Sequence, residues 1–263
     1  LIKIIKEQKS NMNGVFQSLE ESRKANGACA LALIDPDVKN DLILTDLVNR
    51  VVDANFDAIL VGGSLIMDNG FEDRISRIRQ NSSLPVIIFP GSSRQLSANA
   101  DAVLFLSLLS GRNPQYLIGE QVESAPIIYH IGLEAISTGY ILLDGGVKSS
   151  VQVMSNTNPL PVEKEDIILA HALAGQYMGM KVIFLESGSG AESVISKSLL
   201  SLLKSKLSIP IIAGGGITSA EFANDLVTAG ADYLVIGNLL EKCDDPYKLK
   251  EITRVIHHRR SAN

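Results

Sequence analysis

The chain has 263 residues, of which 46% are hydrophobic and 20% are charged, and it contains no Trp. This length predicts one large α/β domain over residues 1–263. The net charge of −5 argues against a nucleic-acid-binding protein, because such proteins present a basic face. Two cysteines provide neither a disulfide framework nor a metal cluster, and without a recognisable secretion signal the expected compartment is the cytoplasm.

Short apolar runs alternate with segments of helical spacing in the first half of the chain. In order, the pattern predicts a helix at 13–25, a strand at 30–34, a helix at 42–52, a strand at 58–61, a helix at 71–78, strands at 85–89 and 102–106, a helix at 113–123 and a strand at 139–143. A long connection without a helical period follows, from 147 to 164.

The second half continues the alternation. It predicts a helix at 165–179, strands at 181–185 and 209–213, a helix from a Thr218–Glu221 capping box to Gly230, a strand at 232–236 and a helix at 245–258. The apolar stretch 167–185 is interpreted as a buried helix that leads into a strand, because charged and polar residues interrupt it.

Eight apolar runs separated mainly by helices predict parallel strand pairing and the closed (β/α)8 TIM barrel, an α/β fold. An open doubly wound sheet is the alternative. Small-residue motifs follow nearly every run, and the carboxyl ends of barrel strands are where active sites form.

Glycine-rich segments follow the last two strands, at 214–216 and at 237–238. Barrels commonly hold phosphate at these two exits through backbone N–H groups, and a glycine lets the anion approach closely. The alternative is that these glycines only close the barrel. The two positions together favour a phosphate site.

The sixth strand runs into a loop of small residues that begins with a carboxylate, Glu186. The glycines and hydroxyls of this loop can surround an anion, and the carboxylate can take a proton from a hydroxyl whose other end is a held phosphate. A tight turn with a solvated Glu is the alternative.

Oxygen ligands follow the first two strands, as Asp35 and Ser64. One carboxylate and one hydroxyl suit Mg²⁺ that keeps its waters and is completed by substrate phosphates. Taken singly, Asp35 also suits a cap before Pro36 and Ser64 a helix N-cap; Asp37 is a weaker candidate ligand.

These motifs, taken in order along nearly the whole chain, resemble geranylgeranylglyceryl phosphate synthase, in its longer group. The matching segments are 33–37, 61–64, 138–142, 154–157, 172–175, 184–191, 214–217 and 237–238. The resemblance implies a prenyltransferase on a modified TIM barrel that requires Mg²⁺. Such an enzyme joins the C3 hydroxyl of sn-glycerol 1-phosphate to a polyprenyl diphosphate, with geranylgeranyl the default donor, in ether-lipid biosynthesis.

The resemblance also implies the site residues. Mg²⁺ contacts Asp35 and Ser64. The role of catalytic base for Glu186 is the hypothesis drawn from its place in the loop after the sixth strand. Glycerol 1-phosphate is bound by Phe184, Leu185, Glu186, Ser187, Gly188, Ser189, Gly190, Gly215, Gly216, Gly237 and Asn238.

Two positions and one predicted element bear on how closely the chain follows this family. Phe184 stands where the family usually has Tyr, which puts a contact to the glycerol in doubt, and Leu33 stands where the shorter group has a phosphate-contacting Lys. The family's third helix is replaced by non-helical chain, whereas the pattern predicts a helix at 71–78, so the numbering of elements there is open.

The prenyl tail requires an apolar channel, for which Tyr140 is the best candidate; Phe105, Leu106 and residues 118–131 are others that suit a core equally well. A homo-oligomer, dimer or hexamer, and peripheral contact with a membrane through the lipid substrate are expected. The competing interpretations are a phosphate-binding isomerase or flavin enzyme and a non-catalytic prenyl-phosphate carrier.

Overall fold

The computed structural model of the chain describes residues 14–188, 190, 195–242 and 245–257. Eight parallel strands pair in sequence order, and the last pairs with the first to close a barrel. The strands are β1 (Cys29–Ile34), β2 (Ala58–Val61), β3 (Val86–Ile88), β4 (Ala102–Leu108), β5 (Glu134–Leu142), β6 (Val182–Glu186), β7 (Ile211–Gly214) and β8 (Tyr233–Ile236). The predicted TIM barrel is confirmed, and the open sheet is excluded.

The helices surround this barrel. They are α1 (Val15–Asn26), α2 (Leu44–Asp53), α3 (Phe71–Asn81), α4 (Glu120–Ile131), α5 (Ser150–Ser155), α6 (Glu165–Tyr177), α7 (Lys197–Lys206), α8 (Ala220–Ala229), α9 (Asn238–Lys242) and α10 (Pro246–Ile256). A 3₁₀ turn (Val38–Asn40) precedes α2, and a π turn (Gln115–Gly119) precedes α4.

Local sequence explains where these helices begin and pack. In α2 the side chains of Leu44, Leu47, Val48 and Val51 share one face and are buried against the barrel. Helix α8 ends at Gly230, as predicted, but its N-cap is Ser219, whose Oγ accepts a hydrogen bond from the Phe222 N–H at 3.2 Å. The predicted capping box was therefore wrong by one residue.

Three connections refine the predicted element list. The helix predicted at 113–123 is the π turn followed by α4, which continues to Ile131. The long connection contains the short helix α5, whose six residues are too few to show a helical period. The helix predicted at 71–78 is present as α3 and follows the second strand, whereas residues 89–101, after the third strand, contain no helix. The helix predicted at 71–78 is therefore present, and so is the non-helical segment that the resemblance implied in place of the barrel's third helix.

The barrel is closed at its amino end and open at its carboxyl end. Helix α1 lies across the amino end, where Leu19 packs with the barrel interior and the Tyr233 hydroxyl donates a hydrogen bond to Glu20. No helix among these described segments combines the length and the apolar character that crossing a bilayer requires; the stretch 167–185 is α6 followed by β6. Loops at the carboxyl end are left to form the site.

Candidate active site

A cavity of about 630 Å³ opens at the carboxyl end of the barrel. Glu186, Gly188, Gly237 and Asn238 line one side of it. Asp35, Lys39, Ser64 and Glu241 also line it, as do Tyr140 and the loop residues Phe89–Ser93. The cavity therefore joins candidate residues from strand exits that are far apart in sequence.

Glu186 is the last residue of β6, and its carboxyl group lies at the floor of this cavity with 9% of the residue exposed. Burial raises the pKa of Glu186 to about 7, although the backbone N–H of Gly188 donates a hydrogen bond to its Oε1 at 2.7 Å and opposes that rise. A carboxylate with a pKa near neutrality is suited to accept a proton in a reaction. The alternative of a solvated Glu in a turn is excluded.

Two glycines of the β7 exit leave room for this carboxylate. A Cβ at Gly214 would lie 2.7 Å from Glu186 Oε2, and one at Gly215 would lie 2.9 Å from Oε1 and 3.0 Å from the Gly188 carbonyl oxygen. Gly215 also has a φ of 93°, a left-handed conformation that favours glycine. The glycine cluster therefore allows the β6 and β7 loops to close around Glu186.

The remaining residues of the β6 loop occupy different environments. Phe184 is buried inside the barrel below Glu186, while Leu185 packs in the layer between barrel and helices, so its side chain is on the other face of the strand. The Ser187 hydroxyl is buried and has no hydrogen-bond partner among the described residues. Gly190 has a φ of 77°, and Ser189 lies outside the described residues.

A buried hydroxyl without a partner is costly unless a ligand or water satisfies it. Ser187 follows Glu186 directly, and its backbone N–H donates to the Gly214 carbonyl at 3.2 Å, so the loop that carries it is anchored to β7. Ser187 itself is not among the residues that line the cavity, although its two neighbours, Glu186 and Gly188, are.

The exits of β7 and β8 supply the other predicted phosphate-binding positions. Gly216 has a φ of 72°, and Gly237 directly follows β8. A Cβ at Gly237 would lie 3.5 Å from the Leu33 side chain, so the position that holds Lys in the shorter group is adjacent to this exit. Asn238 begins α9 and lines the cavity.

Asp35 lines the cavity beside the β2 exit, close to Gly63, where a Cβ would lie 2.9 Å from its Oδ1. Its Oδ2 pairs with Lys39 Nζ at 3.2 Å, and Lys39 also pairs with Glu241 at 3.4 Å. Burial raises the pKa of Asp35, and the nearby Glu241 carboxylate adds to the rise while Lys39 opposes it. Two acidic groups and one ammonium thus meet where β1 and β8 adjoin.

Neither Asp35 nor Ser64 serves as the cap that was its alternative role. Asp37, not Asp35, caps the 3₁₀ turn by accepting a hydrogen bond from the Lys39 N–H at 2.9 Å. Helix α3 has Gly70 as its N-cap, so Ser64 is not a helix cap. The side chains of Asp35 and Ser64 are left to serve the cavity.

Asp35 and Ser64 are hard oxygen donors on adjacent strand exits, and they fit a Mg²⁺ ion that substrate oxygens and waters complete. Among the described residues, no group of three or more His, Cys, Asp or Glu side chains is arranged to hold a metal ion. A site that the substrate completes does not require such a group.

Sequence reasoning missed three neighbours of Asp35. Lys39 and Glu241 pair with each other, and the buried Asn40 donates hydrogen bonds to the Asp35 carbonyl and to Glu241 Oε1, both at 2.9 Å. The i, i+4 spacing of Asp35 and Lys39 was a usable signal. Glu241 had none, because it approaches Asp35 only when β8 closes on β1.

Two aromatic rings that line the cavity, Phe89 and Tyr140, pack on a third, Phe184, which is buried in the barrel interior. Phe89, Tyr140 and Phe184 lie with ring centroids 5.2 to 5.9 Å apart. Burial and the Glu186 charge raise the pKa of Tyr140 well above its usual value, so its hydroxyl stays protonated. The rings separate the polar site from the packed barrel interior.

Part of the same cavity, which we call the apolar arm, is lined by apolar side chains. Leu96, Val103, Phe105, Leu106 and Ile128 line it, from the non-helical segment 89–101, β4 and α4. Residues 89–101, between β3 and β4, form no helix, and several of them line this cavity. Phe105, Leu106 and the α4 segment of 118–131, expected as alternatives for tail binding, all adjoin this arm.

Known proteins match the chain over nearly its whole length. The PcrB family profile matches residues 21–256. A geranylgeranylglyceryl phosphate synthase of Chitinophaga pinensis is 44% identical over 246 residues, 93% of this chain and 96% of that protein. A protein of the same name from Methanosphaera stadtmanae is 40% identical over 226 residues, 86% of this chain and 92% of its own length.

A solved structure agrees with these relatives. The crystal structure of (S)-3-O-geranylgeranylglyceryl phosphate synthase from Thermoplasma acidophilum, in complex with its substrate sn-glycerol-1-phosphate, is 34% identical. It superposes with a TM-score of 0.86 over 94% of this chain and 99% of that one. The chain therefore belongs to the PcrB family and groups with geranylgeranylglyceryl phosphate synthases, as its motifs predicted.

Proposed function

We propose that the chain catalyses transfer of a polyprenyl group, with geranylgeranyl the expected donor, from its diphosphate to the C3 hydroxyl of sn-glycerol 1-phosphate, with Mg²⁺ required. Its relatives make the chain a prenyltransferase. The observation that carries the assignment of substrates is the buried Glu186 carboxyl, with its pKa of about 7, between a glycine-lined anion site and an apolar arm.

The acceptor is placed with its phosphate against the glycine exits. Gly188 and Gly237 line one end of the cavity, and Gly215 lies directly against Gly188 at the β7 exit, with Gly216 next in the chain. A phosphate held there directs the distal hydroxyl of a three-carbon chain toward Glu186. Support comes from the Thermoplasma acidophilum enzyme, which binds sn-glycerol-1-phosphate on the same fold.

Bond making and breaking then follow from this placement. The acceptor oxygen forms a bond to the allylic C1 of the donor, and the C1–O bond to diphosphate breaks with its electron pair leaving on the diphosphate. Glu186 accepts the hydroxyl proton as the ether forms. Holding both reactants in one cavity supplies much of the rate by proximity.

The donor's diphosphate lies, in this proposal, on the side of Asp35 and Ser64. These two residues would hold Mg²⁺, which stabilises the negative charge that develops on the departing diphosphate. Lys39 lines the same part of the cavity, so its ammonium is placed to meet the diphosphate as well. The tail enters the apolar arm beyond Phe89 and Tyr140.

The direct test is a single product assay. Purified chain with Mg²⁺, each enantiomer of glycerol phosphate and a series of prenyl diphosphates should yield an ether product whose mass identifies the donor. We expect product from the sn-1 enantiomer and from a long donor. Absence of ether product in every pairing would reject the proposal, and isomerase activity without a diphosphate would favour the competing class.

Removing the Asp35 charge should weaken cation binding on the donor side. Asp35→Asn is expected to raise the half-saturating Mg²⁺ concentration by about tenfold or more, because a carboxylate ligand becomes a neutral amide. Direct Mn²⁺ binding in the presence of diphosphate, followed by electron paramagnetic resonance, provides a readout without turnover.

Asp37→Asn is the matched control for this change. Its side chain caps the 3₁₀ turn, a role that Asn also fills, so the metal titration should stay as in the unchanged protein. An unaltered titration for Asp35→Asn would remove Asp35 from the site.

The pH dependence of catalysis should report Glu186. With a pKa of about 7, Glu186 is largely protonated below that pH and cannot accept a proton. The value of kcat/KM, which reflects the free enzyme, should therefore rise by about tenfold per pH unit up to pH 7 and then level off. Acceptor affinity measured at each pH separates this effect from titration of the substrate phosphate; a flat profile from pH 5 to 8 would contradict the assignment.

A further inference from the structure

Exposed large apolar side chains concentrate at the open end of the barrel. Of seventeen in the described residues, nine lie on segments that follow the carboxyl ends of β1, β2, β4 and β5. We call these nine residues the rim: Val38, Leu42, Ile43, Leu65, Met67, Ile118, Val147, Val153 and Met154. The other eight are spread over the helices on the sides of the barrel and its amino end.

The rim includes side chains that the fold leaves almost wholly exposed to solvent. Leu42 is 99% exposed and Met67 is 79% exposed, and neither lines the cavity. Single exposed apolar residues are common, but several on neighbouring loops of one face mark a surface that binds something. At the opposite end Met178 is exposed to a similar extent, 70%, and its exposed large apolar neighbour is the adjacent Tyr177.

The rim is continuous with the cavity. Leu65, Val153 and Met154 belong to both, and the cavity leads from them to the apolar arm beyond Phe89. A long prenyl chain is itself a bilayer component, so its route into the arm would cross water unless the mouth lies against the bilayer. The proposed function makes such a chain the donor, and the identity of the rim's occupant rests on that function.

We propose that the rim docks the chain on the surface of a lipid bilayer, with the cavity mouth facing the headgroups. Leu42 and Met67 insert among the acyl chains, and the donor enters the apolar arm from the bilayer. Interfacial binding of this kind scales with the apolar area that is buried.

The charge on the rim segments indicates what drives the docking. Asp37 and Asp68 lie on the same connections as Lys39 and Leu65, and the whole chain has a net charge of −5. This mixture provides no attraction to anionic headgroups, so apolar insertion has to supply the affinity. Binding to vesicles should therefore occur on neutral phosphatidylcholine and change little with ionic strength.

The first test is flotation of the full chain with neutral phosphatidylcholine vesicles that contain no donor. Leu42→Asp and Met67→Asp should each lower vesicle affinity by about tenfold, because each replaces an inserted apolar side chain with a charge. Met178→Asp is the matched control, an equal substitution at the other end of the barrel, and should bind like the unchanged protein. Failure of the unchanged protein to bind, or equal loss in all three variants, would overturn the proposal.

Light scattering in the same buffers distinguishes a second copy of the chain as the occupant. If Leu42→Asp or Met67→Asp converts an oligomer to a smaller species, the rim is a contact between copies and the membrane proposal is wrong. An unchanged mass together with lost flotation supports docking on lipid.

A second assay separates this proposal from the proposed function. With a short, water-soluble prenyl diphosphate and no vesicles, Met67→Asp should turn over at the same rate as the unchanged protein. With a long donor in vesicles its rate should fall by about tenfold, in step with flotation. Vesicle binding without ether product from any donor would reject the proposed reaction and leave the docking surface standing; equal rates of both proteins on vesicle-borne donor would reject the docking surface alone.

Discussion

Glu186→Gln is expected to lose between about 10²- and 10⁴-fold in turnover and to keep its affinity for sn-glycerol 1-phosphate. The amide has the shape of the carboxylate, and its oxygen can still accept the hydrogen bond from the Gly188 N–H that is 2.7 Å long in the unchanged chain. What it cannot do is accept a proton from the acceptor hydroxyl. Steady-state turnover and calorimetric titration of the acceptor measure the two halves of this expectation.

The matched control is Glu251→Gln, the same substitution at an exposed position of α10. It should alter neither quantity. Turnover of Glu186→Gln near that of the unchanged chain would show that Glu186 is not the base, and a parallel loss of acceptor affinity would show that it acts in binding.

Glu186→Gln should also stabilise the substrate-free protein at neutral and higher pH. The folded-state pKa of Glu186 is about 7 and the ordinary value is 4.5, so between these values the folded chain holds a proton that the unfolded chain has released. Its contribution to stability is therefore present below pH 4.5 and lost as the pH rises to about 7. The loss is about 3 kcal/mol, which a neutral Gln avoids.

Urea unfolding of both proteins at several pH values checks this result. The stability difference should be small at pH 4.5, grow to about 3 kcal/mol by pH 8 and favour Glu186→Gln. A constant difference across this range would mean that the ionised carboxylate is not destabilised in the fold. A stability difference of this size would mean that the ionised Glu186 carboxylate lowers the free energy of unfolding, as residues of functional sites commonly do.

Gly215→Ala is the second change with a large expected effect, on binding of the acceptor. The new Cβ would lie 2.9 Å from Glu186 Oε1 and 3.0 Å from the Gly188 carbonyl oxygen, in a backbone with a φ of 93°. Either Glu186 or the loop must move, which disturbs both the proposed base and the proposed anion site. We expect acceptor affinity to fall by about tenfold or more and turnover with it.

Gly132→Ala separates backbone strain from the site. Gly132 has a φ of 71°, and a Cβ there would meet no atom within 4 Å. Both variants should lose about 1–2 kcal/mol of stability from the left-handed conformation, but only Gly215→Ala should lose the acceptor. Equal acceptor affinity in the two variants would place the phosphate elsewhere.

Several features of this protein are fixed by local sequence. Each strand contains an apolar run, although β5 begins at Glu134, five residues before its predicted start, and the order of these runs along the chain is enough to place Asp35, Ser64 and Glu186 at strand exits. Eight such units have one common closed arrangement, so the position of a residue in its own unit determines its face of the barrel. The motif resemblance adds the chemistry.

Elements without a strong local signal are predicted less well. Helix α5 has six residues and leaves Val153 exposed, so no buried stripe marks it in the sequence. The helix predicted at 113–123 is present as the π turn 115–119 and the start of α4, but the pattern distinguished neither the π geometry nor the continuation to Ile131. These local failures do not affect the strand exits.

By itself the sequence determined the barrel, its strand exits and the candidate base, because apolar periodicity and glycine position act within each unit. Only the tertiary structure decided which residues of different strand exits contact one another and how those contacts change their chemistry. Glu186 acquires its high pKa because β7 brings Gly214 and Gly215 against it and excludes water. Asp35 meets Glu241 because β8 closes on β1, and the apolar arm is assembled from the non-helical chain between β3 and β4 together with β4 and α4. Each of these depends on contacts between distant segments, which no local pattern contains.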